Sequence, residues 1–340
     1  MTDSSLVLVA NAGDNSISVF RLVGDALERL AVTADLPGTG TFAVDEARDL
    51  VYAGVKGDPA AIVTLALDRE TGTLTPRSRF ALPGGSVSYI ALTRDGSALL
   101  AASYGGDYGV VAPIVDGVVG EPTGRVEFSK LHSVLPSADG RFVYFVSLGD
   151  DLVAAYALAD DLTLSPVGTA AAPAGSGPRH LVLTAAQDAV YVMTEYSGEV
   201  LHYARDRDTG TLELRSQAPA VDPAAGLVRG EIGADPVAHH AVWGADIHLG
   251  ADERHLWTSE RSTSSLGAVP VAQDGTVRPV ETFIPTEPQP RGFAVSRAGD
   301  RLVAAGERSA TVSLYAVDGV KLTLLQQIET GAGANWVRFL

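Results

Sequence analysis

The chain has 340 residues, 46% hydrophobic and 19% charged, which is ordinary for a globular fold with a large core. Its formal net charge of −16 argues against nucleic acid or an anionic membrane as partner, although a local Arg and His cluster can still hold a small anion. The chain has no cysteine, so disulfides and thiolate chemistry are both excluded.

The N-terminal segment has no basic stretch, and its apolar run over 6–10 is too short for a signal-peptide core or a membrane span. A cytoplasmic protein is expected. The same run opens a repeat. LVLVAN (6–11) is followed by LVYAGV (50–55), ALLAAS (98–103), FVYFVS (142–147), VYVMT (190–194), LWTSE (256–260) and LVAAG (302–306). The runs end at Asn11, Val55, Ser103, Ser147, Thr194, Glu260 and Gly306, in steps of 44, 48, 44, 47, 66 and 46 residues. The two chain ends together complete one further period, as a closed ring of repeats requires.

Turn chemistry divides each period into short strands. Arg94-Asp95-Gly96, Ala138-Asp139-Gly140 and Arg297-Ala298-Gly299-Asp300 each precede a run. Glu70-Thr71-Gly72-Thr73-Leu74 and Asp208-Thr209-Gly210-Thr211-Leu212 mark a second recurring hairpin. About four strands per period, with no strong helical periodicity, predict an all-β, seven-bladed propeller in a single domain over 1–340. The strand over 335–340 is expected to close the ring by pairing with N-terminal strands. The longest step holds an insertion over 218–242, rich in Pro, Ala and Gly and carrying His239 and His240. It reads either as a surface excursion or as a loop over the site.

Polar residues recur at like places in the period. His132, Arg179 with His180, Asp246 with His248, and Arg291 each lie near a predicted inner strand. Equivalent positions in a ring converge on its axis, so one end of the channel is expected to be lined by His132, Arg179, His180, His248 and Arg291. A second set directly follows the runs: Glu195, Arg261 and Glu307. Each residue has an ordinary structural reading too, Glu195 with Arg261 as an ion pair between blades, and Asp246 with His248 as turn hydrogen bonds. The recurrence of mixed charge in one phase favours a site. Other templates fail. Gly38-Thr39-Gly40 lacks the third glycine and helix of a dinucleotide fold, no Gly-x-Ser-x-Gly elbow is present, and His239, His240 and His248 make a poor metal set.

These residues carry a resemblance. His132-Ser133, GSGPRHL (175–181), ADIH (245–248), PTEPQPRGF (285–293), LVAAGERSATVSLY (302–315) and GAGANWV (331–337) resemble, in order and spacing, the seven-bladed propeller lactonases. The chain is most similar to the bacterial cycloisomerase-like 6-phosphogluconolactonases. The resemblance extends to fungal-type carboxymuconate lactonising enzymes, whose channel holds a His, an Arg, a Glu and a further Arg. By motif position these fall on His132, Arg179, Glu195 and Arg261. Three departures stand out: Thr194 replaces the usual Asn, Glu260 the usual Asp, and Gly333-Ala334 the usual Gly-Pro.

The resemblance implies hydrolysis of 6-phosphoglucono-1,5-lactone. Alternatives are another acidic sugar lactone such as a sulfonated one, a muconate-type lactonisation, or a non-catalytic scaffold. His132 or Glu195 would act as general base, and Arg179 or Arg261 would stabilise the oxyanion. The other Arg, with Arg291, His180, His248 or Asp246, would bind the anionic substrate. No cofactor and no metal are expected. The partner is a small anionic lactone, with neither nucleic acid nor membrane, for a monomer or weak homodimer.

Overall fold

The computed structural model describes residues 5–82 and 84–340. They form seven antiparallel sheets, each a meander of four strands apart from one with an extra short strand. The innermost strands are Thr41–Asp45, Tyr89–Leu92, Leu131–Pro136, Pro178–Leu183, Gly244–Leu249, Pro290–Val295 and Ala334–Phe339. Each packs beside the next, and the last packs beside the first, so the sheets are the blades of a closed seven-bladed β-propeller.

The seven apolar runs are the second strands of the blades, one step out from the pore. In six of them, such as Leu50–Val55 and Phe142–Ser147, every residue is buried. A second strand is covered on both faces by neighbouring blades, so both faces must be apolar and the usual alternation is lost. The outermost strands, such as Leu74–Ala81 and Lys321–Glu329, meet solvent and return to mixed polarity. Between blades, Phe142 and Tyr144 of one sheet pack with Val192, Leu201 and Tyr203 of the next. Each such side chain contributes about 1.5–3 kcal/mol on burial. The Tyr144 hydroxyl donates to the Gly210 carbonyl at 3.0 Å, which satisfies its one polar atom.

The ring closes between the chain ends. Ala334–Phe339 is the innermost strand of a blade whose other three strands are Leu6–Asn11, Ser16–Val23 and Ala26–Thr33. The register pairs Val9 with Val337 and Ala10 with Trp336. Trp336 Nε1 donates to the Phe42 carbonyl at 3.0 Å, tying this blade to the next. Pairing the two ends removes a pair of open edges. Among the described residues the one helix is a single 3-10 turn, Pro223–Ala225, and no helix is long and apolar enough to cross a membrane.

Candidate active site

A β-bulge at the entry of the innermost strand recurs around the ring. Leu131 pairs with Ser147 and Ser133 with Val146, which leaves His132 as the extra residue. Arg179, Arg291 and Asn335 are extra in the same way in three other blades, and Ala245-Asp246 face a single partner position in a fourth. A bulge re-aims one side chain out of the ladder. Two residues earlier, Lys130, Gly177, Gln289 and Gly333 all have φ between 50° and 70°. This left-handed residue turns the chain into the strand, and glycine meets the requirement in two of the four cases.

The second contribution comes from the residues that follow the apolar runs. Of the seven positions, Ala12, Lys56, Tyr104, Glu195, Arg261 and Glu307 line one cavity of ≈ 430 Å³, together with the bulge residues His132, Arg291 and Asn335. The seventh, Leu148, is buried. Strand ends and strand starts at one mouth of the channel therefore face each other across the pore.

The charged groups are tightly arranged. Arg179 Nε donates to Glu195 Oε2 at 2.9 Å, and Arg261 Nη2 lies 3.0 Å from the same oxygen. Arg179 is 1% and Arg261 2% exposed, whereas the Glu195 side chain is 12% exposed and reaches the cavity. Burial pushes the Glu195 carboxyl up, but Arg261, Arg179 and Arg291 outweigh it and hold it below the usual carboxylate range. Arg261 stacks 3.9 Å from the Trp243 ring and donates to the Trp243 and Gly244 carbonyls. Arg291 Nη1 donates to Glu307 Oε1 at 2.8 Å. Burial also pushes Glu307 up, and Arg291 and Arg261 bring it below its ordinary value.

His132 sits beside this group, its ring centroid 5.7 Å from Tyr104 and 5.1 Å from His180. Its Nδ1 is buried without a hydrogen-bond partner among the described residues. Burial, followed by the charge of Arg179, the His180 ring and the charges of Arg291 and Arg261, holds His132 well below 6.5. The ring is therefore neutral at neutral pH and available to accept a proton.

Behind the cavity the hydrogen bonds run in one direction. Arg179 Nη1 donates to the Ala245 carbonyl at 2.7 Å and lies 3.1 Å from His180 Nε2. A guanidinium only donates, so His180 Nε2 accepts and its proton is on Nδ1. That nitrogen faces Asp246 Oδ1 at 2.7 Å. Burial and Arg179 push His180 down to about 3 against the pull of Asp246, in keeping with a neutral ring. The second Asp246 oxygen accepts from His248 Nε2 at 3.2 Å and from the Phe293 amide at 3.3 Å. Burial works against the Asp246 carboxylate, and His248 and His180 hold it ionised.

Some sequence-predicted positions change place. His132, Glu195, Arg261 and Arg291 share the cavity. Arg179 is not part of its wall; it touches Glu195 from behind, because its guanidinium reaches sideways to Ala245 of the next blade. His180 and Asp246, expected to bind substrate, are buried and hold Arg179 instead. His248 does not join His132 at one end of the channel. Two residues beyond Asp246 along an extended strand, about 6.6 Å further on, it faces the opposite mouth. There it lines a larger cavity of ≈ 940 Å³ with Val295, Arg338 and Leu340. That cavity contains none of the His132, Glu195 and Arg261 group, so the chemistry belongs to the smaller one.

The 218–242 insertion folds over the blade end, with Arg229 Nη2 donating to the Ala174 carbonyl at 2.7 Å. It does not line the cavity; Trp243, the residue just after it, does. His239 and His240 are exposed, and His240 Nε2 bonds the Ala225 carbonyl. Among the described residues no group of three or more His, Cys, Asp or Glu is placed to hold a metal ion. Lys56, Tyr104, Trp243 and Asn335 escaped the sequence reading. Lys56 and Tyr104 carried a usable signal, because the rule that found Glu195 and Arg261 applies equally after Val55 and Ser103.

A propeller with imidazole, guanidinium and carboxylate groups gathered in one pore mouth has the form of an enzyme. A family model for seven-bladed β-propeller lactonases matches residues 7–339. The chain is 30% identical over 342 residues to a 6-phosphogluconolactonase of Pectobacterium carotovorum, with 98% of each chain covered. It superposes on a solved structure from Bacteroides uniformis, provisionally named a 6-phosphogluconolactonase, with a TM-score of 0.87 and 25% identity over the whole of both chains. The periplasmic gluconolactonase of Pseudomonas aeruginosa gives a TM-score of 0.84 at 23% identity, covering 99% of each chain, a likeness of fold alone. The chain belongs to the seven-bladed β-propeller lactonase family, and it is a lactone-hydrolysing enzyme.

Proposed function

We propose that the enzyme hydrolyses 6-phosphoglucono-1,5-lactone to 6-phosphogluconate in the ≈ 430 Å³ cavity, without a metal ion. The observation that carries this reading is the local charge. The cavity wall and the group behind it hold four cations, Lys56, Arg179, Arg261 and Arg291, against three carboxylates, Glu195, Glu307 and Asp246. A cationic cavity in a chain of net charge −16 suits an anionic substrate.

In this reading the neutral His132 ring takes a proton from water as the oxygen adds to the lactone carbonyl. Arg261 donates to the oxyanion that forms. The carbonyl then reforms, the bond from C1 to the ring oxygen breaks, and that oxygen leaves as a hydroxyl with the proton from His132. Glu195 Oε2 is occupied by two guanidiniums and its carboxyl is held low, so it orients Arg261 rather than acting as the base. Arg179, fixed by His180 and Asp246, is a positioning residue.

The test compares initial rates of opening of the phosphorylated, sulfonated and unsubstituted gluconolactones. The phosphorylated lactone is expected to have the highest kcat/KM; equal or lower values than for the unsubstituted one would remove this reading. EDTA is expected to leave the rate unchanged. A loss that a divalent ion restores would show the metal-free scheme to be wrong. A phosphate ester does not cross a bilayer unaided, so the reading carries a cytoplasmic location with it, which cell fractionation checks.

A further inference from the structure

We infer that Lys56 is the residue that selects the anionic tail of the substrate, on the wall of the pore opposite the reacting group. The inference rests on the phosphorylated-lactone reading and adds the residue responsible for it.

Three observations support it. The first is position. Lys56 directly follows Leu50–Val55, in the blade whose innermost strand is Thr41–Asp45. Glu195 lies three blades away in one direction around the ring, and Arg261 three blades away in the other. In a ring of seven blades, that places Lys56 straight across the pore from the Glu195–Arg261 pair. A lactone ring held at that pair would extend its tail toward Lys56.

The second is charge. Three cations line the cavity. Arg261 lies 3.0 Å from Glu195 and Arg291 2.8 Å from Glu307. Lys56 is exposed and lines the opposite wall of the same cavity, with no carboxylate within 4.0 Å among the described residues. Its ammonium is a compact point charge with three donors, suited to a small tetrahedral oxyanion.

The third is room and support. The wall around Lys56 is built from small residues, Ala12, Gly38, Gly40, Gly54, Ser86 and Gly105. A Cβ added at Gly38 would stand 2.7 Å from Lys56 Cδ, so the missing side chain is the seat of the lysine stem. The Lys56 amide donates to the Pro37 carbonyl at 2.7 Å and holds its backbone against the same loop. The stem is thus braced while the ammonium stays open to the pore.

The experiment measures kcat/KM for the phosphorylated, sulfonated and unsubstituted gluconolactones with the wild type, Lys56→Ala and Lys56→Arg. Loss of a hydrogen-bonded charge contact predicts about a 10–100-fold fall for the phosphorylated lactone with Lys56→Ala. The unsubstituted lactone should stay within about twofold, and Lys56→Arg should restore most of the preference. The dependence of KM on salt should weaken in Lys56→Ala. A preference for the anionic lactone that survives Lys56→Ala, or an equal loss on all three substrates, overturns the assignment. A wild type that prefers the sulfonated lactone and loses that preference in Lys56→Ala removes the phosphate reading but upholds Lys56. A wild type with no preference for an anionic tail removes both.

Discussion

The two halves of the pore mouth share one blade architecture and carry different side chains. In the three blades from Pro178 to Glu329 the positions after the second strands hold Glu195, Arg261 and Glu307. In the other four they hold Ala12, Lys56, Tyr104 and Leu148. The charged half is crowded and internally paired, with Arg179 and Arg261 on one oxygen of Glu195 and Arg291 on Glu307. The other half is lined by small residues beside Tyr104 and His132, and it carries one lysine with no carboxylate within 4.0 Å among the described residues. The ring thus supplies seven equivalent positions and leaves each to its own side chain. Paired charges of fixed geometry suit transition-state stabilisation, which needs groups that do not reorganise. Open space with a single exposed charge suits recognition of a tail.

The largest expected effects lie on the charged side. Arg261→Ala is expected to lower kcat/KM by about 10²–10³-fold on every lactone, as loss of an oxyanion donor does. A fall confined to phosphorylated lactone would move Arg261 to the recognition half. Glu195→Gln leaves two buried guanidiniums without their shared carboxylate. Its cost in unfolding free energy, measured by urea titration, is expected to be about 3 kcal/mol. Lys56→Ala should leave the urea midpoint unchanged, because its ammonium is exposed. Its expected mark is the selective loss described above.

A smaller effect is read by pH. Folding holds His132 well below 6.5 and His180 at about 3, so below pH 6.5 the unfolded chain binds protons that the folded chain does not. Stability is fully present above that pH and declines as pH falls through the window between 6.5 and the folded values. Glu195 and Glu307, held low in the fold, add their own loss as pH falls below the ordinary 4.5. The urea midpoint at pH 5.5 should therefore lie below that at pH 7.5. The difference should persist in Lys56→Ala, since the shifts of His132, His180, Glu195 and Glu307 come from burial and from neighbouring charges other than Lys56. An equal midpoint at the two pH values would mean that His132 and His180 titrate normally. The kcat profile sharpens the point: its acid limb is expected below pH 6.5, where an unshifted histidine base would place it.

The degree to which the site could be read in advance differs by residue. Glu195 and Arg261 follow apolar runs that announce themselves, because a strand covered on both faces has to be apolar throughout. Lys56 and Tyr104 obey the same rule and were legible by it. The bulge residues were harder. Gly177-Pro178-Arg179 and Gly333-Ala334-Asn335 show a glycine at the left-handed position, but Lys130-Leu131-His132 and Gln289-Pro290-Arg291 fill it with ordinary residues. Nothing local tells these bulges from a regular strand start. His180, Asp246 and His248 share a phase with the site in sequence, yet a step of one or two residues turns a side chain behind the wall or carries it to the far mouth.

Period, turn chemistry and the closing remainder of the repeat were enough to determine seven blades, an all-β fold and a ring joined at its ends, because those depend on backbone requirements repeated along the chain. Which polar side chains meet was decided only in three dimensions. Arg179 turns away from the cavity toward Ala245 of another blade, and Lys56 stands opposite Glu195 because it is three blades away around a ring of seven. Local pattern sets where each strand begins and ends. The partners of a charged group are chosen by ring closure, which no single stretch of the chain contains.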